Sequence, residues 1–465
     1  MRDSTRARGW SRRQALSVGA AAGLVPFGCR GKGADSGAEA SPDTAPERSP
    51  EPAPWNPGGT EDTVRFPFGV HVGDASPTTA RVHLRTHSAP VTMVLAEAQG
   101  SAWVEVDRRD GLTTAALPVD ADPSGMAVVV RLEGLNPDTA YSVVFFDGDT
   151  RSVVARFRTA LDTGGVRKVV FGSTSCFGGN APWPSLFYAA DEQLDFFCML
   201  GDTVYADGSE DVADYRAHWD AALATEGLVR VAASTSLVVT WDDHEVDNNW
   251  DLASVGVDRY NIARACFDEA LPRDEGPGGT GVWRVLRWGD TLDVFVLDGR
   301  AERERATGKY LSDEQLAWLL DGVRTSTARF KIILNSVPIS DLTVMFSTLG
   351  AEDRWDGFPT TRTEVVAALA EVEGVLIVTG DVHYGQVGYV DPAGGAGENL
   401  VEVFTGPAGS FANIAADLFT GDPQYIWMSS AWNWCRFECD PVAGTVRVTH
   451  IGDDGAALHD ITLSL

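Results

Sequence analysis

Lysine is scarce in this sequence: four occur among 465 residues, so arginine supplies nearly all of the positive charge. Acidic residues outnumber basic ones by 66 to 37, and the formal net charge is −29. Phosphate backbones and anionic lipid surfaces are bound by basic patches. We therefore expect neither nucleic acid nor an anionic membrane surface to be the main partner of this protein.

Cysteine is also sparse, and its spacing excludes one kind of site. The six cysteines include no pair of Cys-x-x-Cys motifs, so the sequence lacks a zinc framework of that type. Cys435 and Cys439 lie four positions apart and fit either a local disulfide or two buried thiols. The absence of a Gly-x-Ser-x-Gly motif removes the usual signature of a nucleophilic serine in an α/β hydrolase.

Residues 1–29 lack an apolar run of the length that a membrane span needs, and they indicate a targeting segment instead. Arg12 and Arg13 precede an apolar stretch at 15–28 that is short and rich in small residues. A twin arginine predicts export of the folded protein to the periplasm or cell surface. Cys29 follows Phe-Gly in a sequence that resembles a lipobox. It is therefore either a lipidated anchor that tethers the protein to the membrane or a residue near an ordinary cleavage site.

The composition then changes twice along the chain. Residues 30–60, rich in proline, serine and acidic residues, predict a disordered linker. Residues 61–162 predict an all-β immunoglobulin- or fibronectin-like sandwich, because short alternating runs are separated by Gly, Pro and Asp turns. Those runs lie at 80–84, 91–96, 126–132, 141–146 and 153–159. Tyr141 has the setting of a tyrosine corner, in which the hydroxyl bonds to nearby backbone.

Residues 163–465 alternate between apolar β-prone runs and segments of helical composition. This alternation predicts a layered α/β domain, so the fold class is α/β preceded by an all-β sandwich. We expect strands near 168–173, 196–200, 237–240, 292–297, 331–336, 375–379 and 400–404. We expect helices within 184–193, 211–223, 259–270, 312–325 and 363–371, with Ser312 as an N-cap.

Four of these apolar runs stop abruptly at side chains that bind metals. The runs at 168–173, 196–200, 237–240 and 375–379 lead to Cys176, to Asp202 and Tyr205, to Asp243, His244 and Asn248, and to Asp381 and His383. In open α/β sheets, ligands bind beyond the carboxyl ends of the strands. The pattern predicts one shared metal site. Each element taken singly also fits a structural explanation, such as a buried thiol, a turn or acidic capping of a helix.

The types of side chain narrow the choice of ions. A tyrosine hydroxyl ionises near neutral pH only beside a strong Lewis acid, since its free pKa is about 10. Tyr205 with a cysteine thiolate and a carboxylate therefore favours ferric iron over magnesium. Asn248 with nearby carboxylates suits calcium. A single Asp that bridges two cations is the usual construction of a dinuclear hydrolase site.

Taken together, the motifs resemble those of the PhoD-like phosphatases (alkaline phosphatase D), within the calcineurin-like metallophosphoesterase superfamily. The similar segments are Ser175-Cys176, Leu200-Gly201-Asp202-Thr203-Val204-Tyr205, Trp241-Asp242-Asp243-His244-Glu245, Leu297-Asp298-Gly299-Arg300 with Arg303, Trp355-Asp356-Gly357-Phe358 and Gly380-Asp381-Val382-His383. The resemblance implies Fe(3+) at Cys176, Asp202 and Tyr205 with Asp381 close by, and Ca(2+) near Asp202, Asn248, Asp381 and His383, with Asp243 and Asp356 as neighbours. It also implies that Arg300 and Arg303 are partners of the phosphate charge or structural residues.

The function that the resemblance implies is exported phosphoric ester hydrolysis by a metal-activated water or hydroxide. Arg300 would stabilise phosphoryl charge, and His244 would protonate the leaving group. We expect a monomer that acts on a small phosphate monoester or diester. One alternative is phosphodiesterase or phospholipase D-like activity on teichoic acid or phospholipid head groups. An alternative of another class is a non-catalytic surface lipoprotein.

The sequence departs from the family pattern at Phe177, Glu302 and 206–208, which bears on substrate preference more than on metal binding. Tryptophans at 241, 250, 355, 432 and 434 fit either the core or the wall of a substrate site.

Overall fold

A nine-stranded sheet joins the two regions that the sequence pattern separates. The computed structural model describes residues 44–119, 124–179, 181–279, 281–342, 345, 350–419 and 421–465. The predicted export segment at 1–29, Cys29 and the first part of the linker lie outside these residues. No helix among the described residues is both long enough and apolar enough to cross a bilayer.

The strands are β1 (Thr60–Glu61), β2 (His71–Gly73), β3 (Thr79–Arg85), β4 (Val91–Gln99), β5 (Ala102–Leu112), β6 (Ala127–Glu133), β7 (Ala140–Asp147), β8 (Thr150–Arg151), β9 (Ala155–Arg158), β10 (Val169–Thr174), β11 (Phe196–Leu200), β12 (Ser236–Thr240), β13 (Arg284–Trp288), β14 (Leu292–Val296), β15 (Phe330–Leu334), β16 (Val375–Thr379), β17 (Gly385–Tyr389), β18 (Val401–Phe404), β19 (Tyr425–Ser429), β20 (Asn433–Asp440), β21 (Thr445–Gly452) and β22 (Ala457–Ser464). The α-helices are α1 (Ser185–Asp191), α2 (Val212–Leu223), α3 (Glu226–Ser234), α4 (Leu252–Val255), α5 (Val257–Ala270), α6 (Asp313–Thr325) and α7 (Pro359–Ala370). Short 3-10 turns are Pro277–Gly279, Ala351–Asp353, Trp355–Gly357 and Ile414–Leu418.

The α/β region has four layers, because two sheets pack face to face and each carries helices on its outer side. One sheet has the order β22-β21-β20-β10-β11-β12-β2-β3-β6, and the other has the order β13-β14-β15-β16-β18-β17-β19. Phe171 and Phe196 from the first sheet share a buried core with Ile332 and Leu376 from the second. The parallel strands β10, β11 and β12 are buried along their whole length, as continuous apolar runs predict. The predicted layered α/β fold is confirmed.

The N-terminal β region is a sandwich, but one of its sheets is shared. Strands β2, β3 and β6 pack on a second sheet of order β1-β8-β7-β4-β5, in which β9 pairs with β7. Leu237 of β12 pairs with Gly73 of β2, and the Asp74 amide donates to the Leu237 carbonyl at 3.0 Å. One sheet therefore crosses residue 162, and the division into two domains there stays a prediction.

The predicted tyrosine corner is present. The Asn136 amide donates to the Tyr141 hydroxyl at 2.8 Å, and that hydroxyl donates to Glu97 Oε2 at 2.7 Å. Ser312 caps α6, as predicted, by accepting a hydrogen bond from the Gln315 amide at 3.1 Å.

The linker was expected to be disordered, but residues 44–60 of it are held against the folded body. The Ala45 amide donates to Asp440 Oδ1 at 3.0 Å, and the Lys168 amide donates to the Pro46 carbonyl at 2.8 Å. Arg158 also donates to the Ser49 carbonyl at 3.0 Å. Low hydrophobicity predicts no core for such a segment, but its backbone groups find partners on the folded body. These hydrogen bonds hold the segment in an extended path.

Candidate metal centre

The predicted ligands lie where strands end, on a backbone that bends sharply. Cys176, Asp202, Asp381 and His383 have φ values of 55°, 55°, 66° and 60°. Residues other than glycine adopt this left-handed region at a cost of about 1–3 kcal/mol, so it is kept only where the surroundings enforce it. Gly201, at φ 88°, allows the close approach, since an added Cβ would lie 2.4 Å from the Asp242 Cβ.

The strand ends bring two groups of donor atoms together. Ligand atoms of Cys176, Asp202 and His383 lie within 4.8 Å of one another, as do those of Asp202, Asp243 and His244. The Tyr205 hydroxyl lies 3.3 Å from Asp202 Oδ2 and 3.4 Å from His383 Nε2. Asp202 belongs to both groups, so its carboxylate has the position of a bridge. His383 lies with the cysteine and tyrosine, and it also lines the cleft together with Asn248.

The donor groups are buried, and two of their carboxylate oxygens lack partners in the described part of the chain. Asp202 Oδ1 and Asp243 Oδ1 are buried without a hydrogen-bond partner among the described residues. Burial, with the charge of Asp202, raises the pKa of the Cys176 thiol. Burial also raises the pKa of Asp243 and of Asp381 well above the usual value. Buried carboxylates that lack partners are stabilised by a cation, and thiol, imidazole, phenol and carboxylate together fit a transition metal such as iron.

Asp202 differs from its neighbours because two histidine rings lie close to it. Burial works to raise the pKa of its carboxyl, but the nearby rings of His383 and His244 hold that pKa below its usual value. Asp202 is therefore the member of the cluster that is ionised most readily.

The Glu245 carboxylate holds the ends of β11 and β12 together through hydrogen bonds. The sequence did not predict this role. Its carboxylate accepts hydrogen bonds from the amides of Asp202 at 3.1 Å, Thr203 at 2.7 Å and Asp242 at 2.9 Å. Burial and the charge of Asp202 raise the pKa of Glu245 to about 8. The signal in the sequence is the acid at the end of the Asp-Asp-His-Glu run.

Arg300 lies behind the cluster, and this corrects the expectation that it stabilises phosphoryl charge directly. It is fully buried, and its Nε donates to Asp242 Oδ1 at 2.6 Å while a terminal nitrogen donates to Asp353. Its other terminal nitrogen lies 3.9 Å from Asp243 Oδ2. Arg303 supports the same carboxylate, because it donates to Asp353 at 3.0 Å. Both arginines therefore position carboxylates.

His244 faces the cleft and is held by Asp207. Its Nδ1 lies 2.8 Å from Asp207 Oδ2, and its ring centroid lies 4.2 Å from that of Tyr205. Burial opposes protonation, but the Asp207 hydrogen bond and the charges of Asp202 and Asp243 outweigh it and raise the pKa of His244 to about 10. The ring therefore carries a proton at neutral pH, and Nε2 is the nitrogen that Asp207 leaves for other partners.

The remaining predicted residues divide between the cleft and its surroundings. The cleft has a volume of about 430 Å³, and Asn248 and Asp381 line it, with Asn248 exposed. Asp356 does not line it. Its carboxylate instead pairs with Arg354 at 3.2 Å, and Arg354 lines the cleft. Asp353, which also lines the cleft, was missed because it lies in a 3-10 turn rather than at a strand end.

The cysteines and tryptophans left open by the sequence are now located. Cys435 and Cys439 are buried and free, so no disulfide joins them. The tryptophans at 241, 250, 355 and 434 are core residues, whereas Trp432 lines a second pocket beside the cleft.

Comparison with known proteins finds similar phosphatases. The sequence model described as PhoD-like phosphatase matches residues 171–430. Alkaline phosphatase D from Bacillus subtilis (strain 168) is 26% identical over an alignment of 309 positions that covers 55% of this chain and 53% of that protein. The aligned region thus spans about half the length of this curated relative.

Two solved structures share the fold. A structure of PhoD gives a TM-score of 0.72 at 20% identity and covers 88% of this chain and 90% of that one. Purple acid phosphatase PPD1 from yellow lupin (Lupinus luteus) seeds gives 0.59 at 13% identity, over 85% of this chain and 73% of that one. At these identities the two structures are evidence of the fold alone.

Proposed function

The chain belongs to the PhoD-like phosphatase family, and from this premise we propose that it is an exported, metal-dependent hydrolase of phosphoric esters. The observation that carries the proposal is the convergence of Cys176, Asp202 and His383, with ligand atoms within 4.8 Å of one another. The Tyr205 hydroxyl lies beside them. A buried, partnerless oxygen on Asp202 supports the same conclusion, because it has the environment of a metal ligand.

In this proposal the first cation is Fe(3+), held by Cys176, Asp202, Tyr205 and His383. The second is Ca(2+), held by oxygens of Asp202, Asp243, Asn248 and Asp381. Bound cations would lower the pKa of a water molecule and offset the negative charge of the ester. The soft and phenolic donors support iron in the first position, and the all-oxygen set supports a harder ion in the second.

The side chains of the cleft supply the remaining chemistry. His244 holds a proton at Nε2, oriented by Asp207 on Nδ1, and gives it to the leaving alkoxide. Arg354 lines the cleft and is held by Asp356 at 3.2 Å, so its guanidinium can bind phosphoryl oxygens. Arg300 acts through Asp242 and Asp353, which it holds in place.

Elemental analysis of the purified protein, paired with ester hydrolysis before and after chelation, tests the proposal. We expect iron and calcium in the active protein and loss of both activity and metal in Asp202→Asn. Asp214→Asn, which removes an exposed carboxylate of α2, is the control and keeps both. An active protein that contains neither metal would refute the mechanism.

The identity of the first ion has its own test. Ferric iron bound to a phenolate gives a visible charge-transfer colour. Tyr205→Phe should therefore lose the colour while keeping the fold. A colourless wild-type protein that hydrolyses esters would exclude the iron assignment but leave the hydrolase.

Two further parts of the proposal need separate measurements. Chromogenic monoester and diester substrates, assayed side by side, decide between phosphatase and phosphodiesterase activity. A non-catalytic surface module, the alternative of another class, predicts a protein that binds no metal and hydrolyses neither ester. Export is tested by replacing Arg12 and Arg13 with lysine, which should retain the precursor inside the cell if the twin arginine directs transport.

A further inference from the structure

A second pocket of about 690 Å³ lies directly beside the metal cleft. Tyr205 and Phe411 line both spaces, so these two rings form the boundary between them. The other lining residues are mainly apolar or small, among them Trp183, Val204 and Trp432. Among the described residues of the lining there is no Asp, Glu, Lys or Arg. The pocket is therefore chemically unlike the acidic cleft that it adjoins.

One wall of the pocket, formed by Trp183, Gly409 and Trp432, is held by close packing. Trp432 Nε1 donates to the Ser410 carbonyl at 2.7 Å. Trp183 packs edge-on to Phe177 with ring centroids 5.2 Å apart. A Cβ on Gly409 would lie 2.3 Å from Trp183 Cδ1, so only glycine permits this contact.

The pocket begins one side chain away from the donor atoms. The Tyr205 hydroxyl lies 3.3 Å from Asp202 Oδ2, while the same residue lines the pocket. Phe411 packs on His383 with centroids 4.3 Å apart. An ester with its phosphoryl group at the donor atoms would therefore have its organic group at the mouth of this pocket.

We propose that this pocket binds the organic group of the substrate and selects phosphoric esters whose alcohol carries an uncharged, apolar chain or ring. The inference rests on the proposed hydrolase function and specifies its substrate class. Among the described lining residues no carboxylate balances a cationic organic group, and the exposed His218 is the one histidine that could balance an anionic one. A charged group would therefore lose hydration in the pocket for little compensation. Each buried methylene should improve kcat/KM by about three- to fourfold until the pocket is filled.

The test is a series of n-alkyl phosphates from ethyl to hexyl, used as monoesters and as methyl diesters with the metal-loaded protein. The leaving alcohols have nearly equal pKa values, so chain length is the main variable. We expect kcat/KM to rise along the series. Ala221→Trp, on an exposed lining residue of α2, should abolish the rise while ethyl phosphate is affected little. Ala213→Trp, on an exposed position of the same helix outside the pocket, is the matched control.

Calorimetric binding of hexyl and ethyl phosphate separates failure of the inference from failure of the function. If hexyl phosphate binds more tightly than ethyl phosphate, and this difference is lost in Ala221→Trp but kept in Ala213→Trp, the pocket is supported even if no ester is hydrolysed. In that case the proposed function fails alone. Hydrolysis and binding that are both independent of chain length overturn the inference and leave the function intact. Equal effects of the two tryptophan variants overturn it as well.

Discussion

Replacing Arg300 by methionine removes the guanidinium that joins two buried carboxylates behind the metal cluster. Arg300 is fully buried, and its Nε donates to Asp242 at 2.6 Å. Asp353 loses one arginine but keeps Arg303 at 3.0 Å. Asp242 has no other arginine or lysine within ion-pair distance among the described residues. Asp243 loses a more distant contact, at 3.9 Å. Asp242 is therefore the carboxylate whose close ion pair is lost without a substitute.

The expected loss of stability follows from the lost ion pair of Asp242. Removing one partner of a buried ion pair costs about 3–5 kcal/mol, because the remaining charge stays desolvated. Arg300→Met should lower the free energy of unfolding by this amount. Arg300→Met combined with Asp242→Asn removes both charges and should recover about half of the loss or more. A lysine at position 300 would restore charge but could not reach both carboxylates, since it lacks the planar fork of arginine.

Pulse proteolysis in increasing urea measures the unfolding free energies, and Arg324→Met is the control. Arg324 pairs with Asp321 at 2.6 Å, and the two side chains are 73% and 66% exposed. Such exposed pairs contribute about 0–1 kcal/mol. If Arg300→Met were no less stable than Arg324→Met, or if the double variant were less stable than Arg300→Met, the positioning role of Arg300 would be refuted.

Three further changes test other parts of the structure. Burial lowers the pKa of His71 from 6.5 to about 3, so the folded state binds fewer protons than the unfolded state and stability is lost as pH falls from about 6.5 towards 3. His71→Leu should reduce the slope of unfolding free energy against pH in this window by about 1.4 kcal/mol per unit, and an unchanged slope would contradict the buried neutral ring. Glu245→Gln should destabilise by about 1–3 kcal/mol, because one amide oxygen cannot accept the three amide hydrogen bonds of the carboxylate; chemical denaturation with and without metal would measure this, and wild-type stability would exclude this role of Glu245. Tyr141→Phe should cost about 1 kcal/mol through loss of the Asn136 and Glu97 hydrogen bonds, and thermal unfolding that is unchanged would show that the tyrosine corner is dispensable.

Seven strands of the α/β region were predictable because each lies in a mainly apolar run: β10, β11, β12, β14, β15, β16 and β18. Strands β13, β17 and β19 were missed because they lack such a run. The predicted run at 375–379 is strand β16 to the residue. Strand β5 was missed for the opposite reason: Ala102–Leu112 is largely exposed and carries charges along its length, so no alternation marks it. The joining of the sandwich sheet to the central sheet rests on the pairing of Leu237 with Gly73, a long-range contact that no local pattern encodes.

The site residues that follow strand ends were predictable from the sequence. Cys176 and Asp202 meet because they follow β10 and β11, which are neighbouring parallel strands of one sheet. His383 follows β16 of the other sheet, so its place in the site depends on how the two sheets pack. The position of Asp353 depends on how the 3-10 turn Ala351–Asp353 folds back onto Arg300, and the sequence does not determine that path. The role of Arg300 required a measure of burial, because a buried arginine and one in a cleft look the same in sequence.

The charges around the cleft explain why the folded chain is incomplete without a cation. Arg300 and Arg303 bind Asp242 and Asp353, which leaves the carboxylates of Asp202, Asp243 and Asp381 directed to the cleft. Burial raises the pKa of the last two because the cleft supplies too little positive charge. The left-handed strand ends that present Asp202 and Asp381 cost stability as well. The amide hydrogen bond to Glu245 offsets part of this cost at Asp202. In the proposed site a cation would join these carboxylates and offset their burial, so the residues that destabilise the chain by itself are those that would hold the metal.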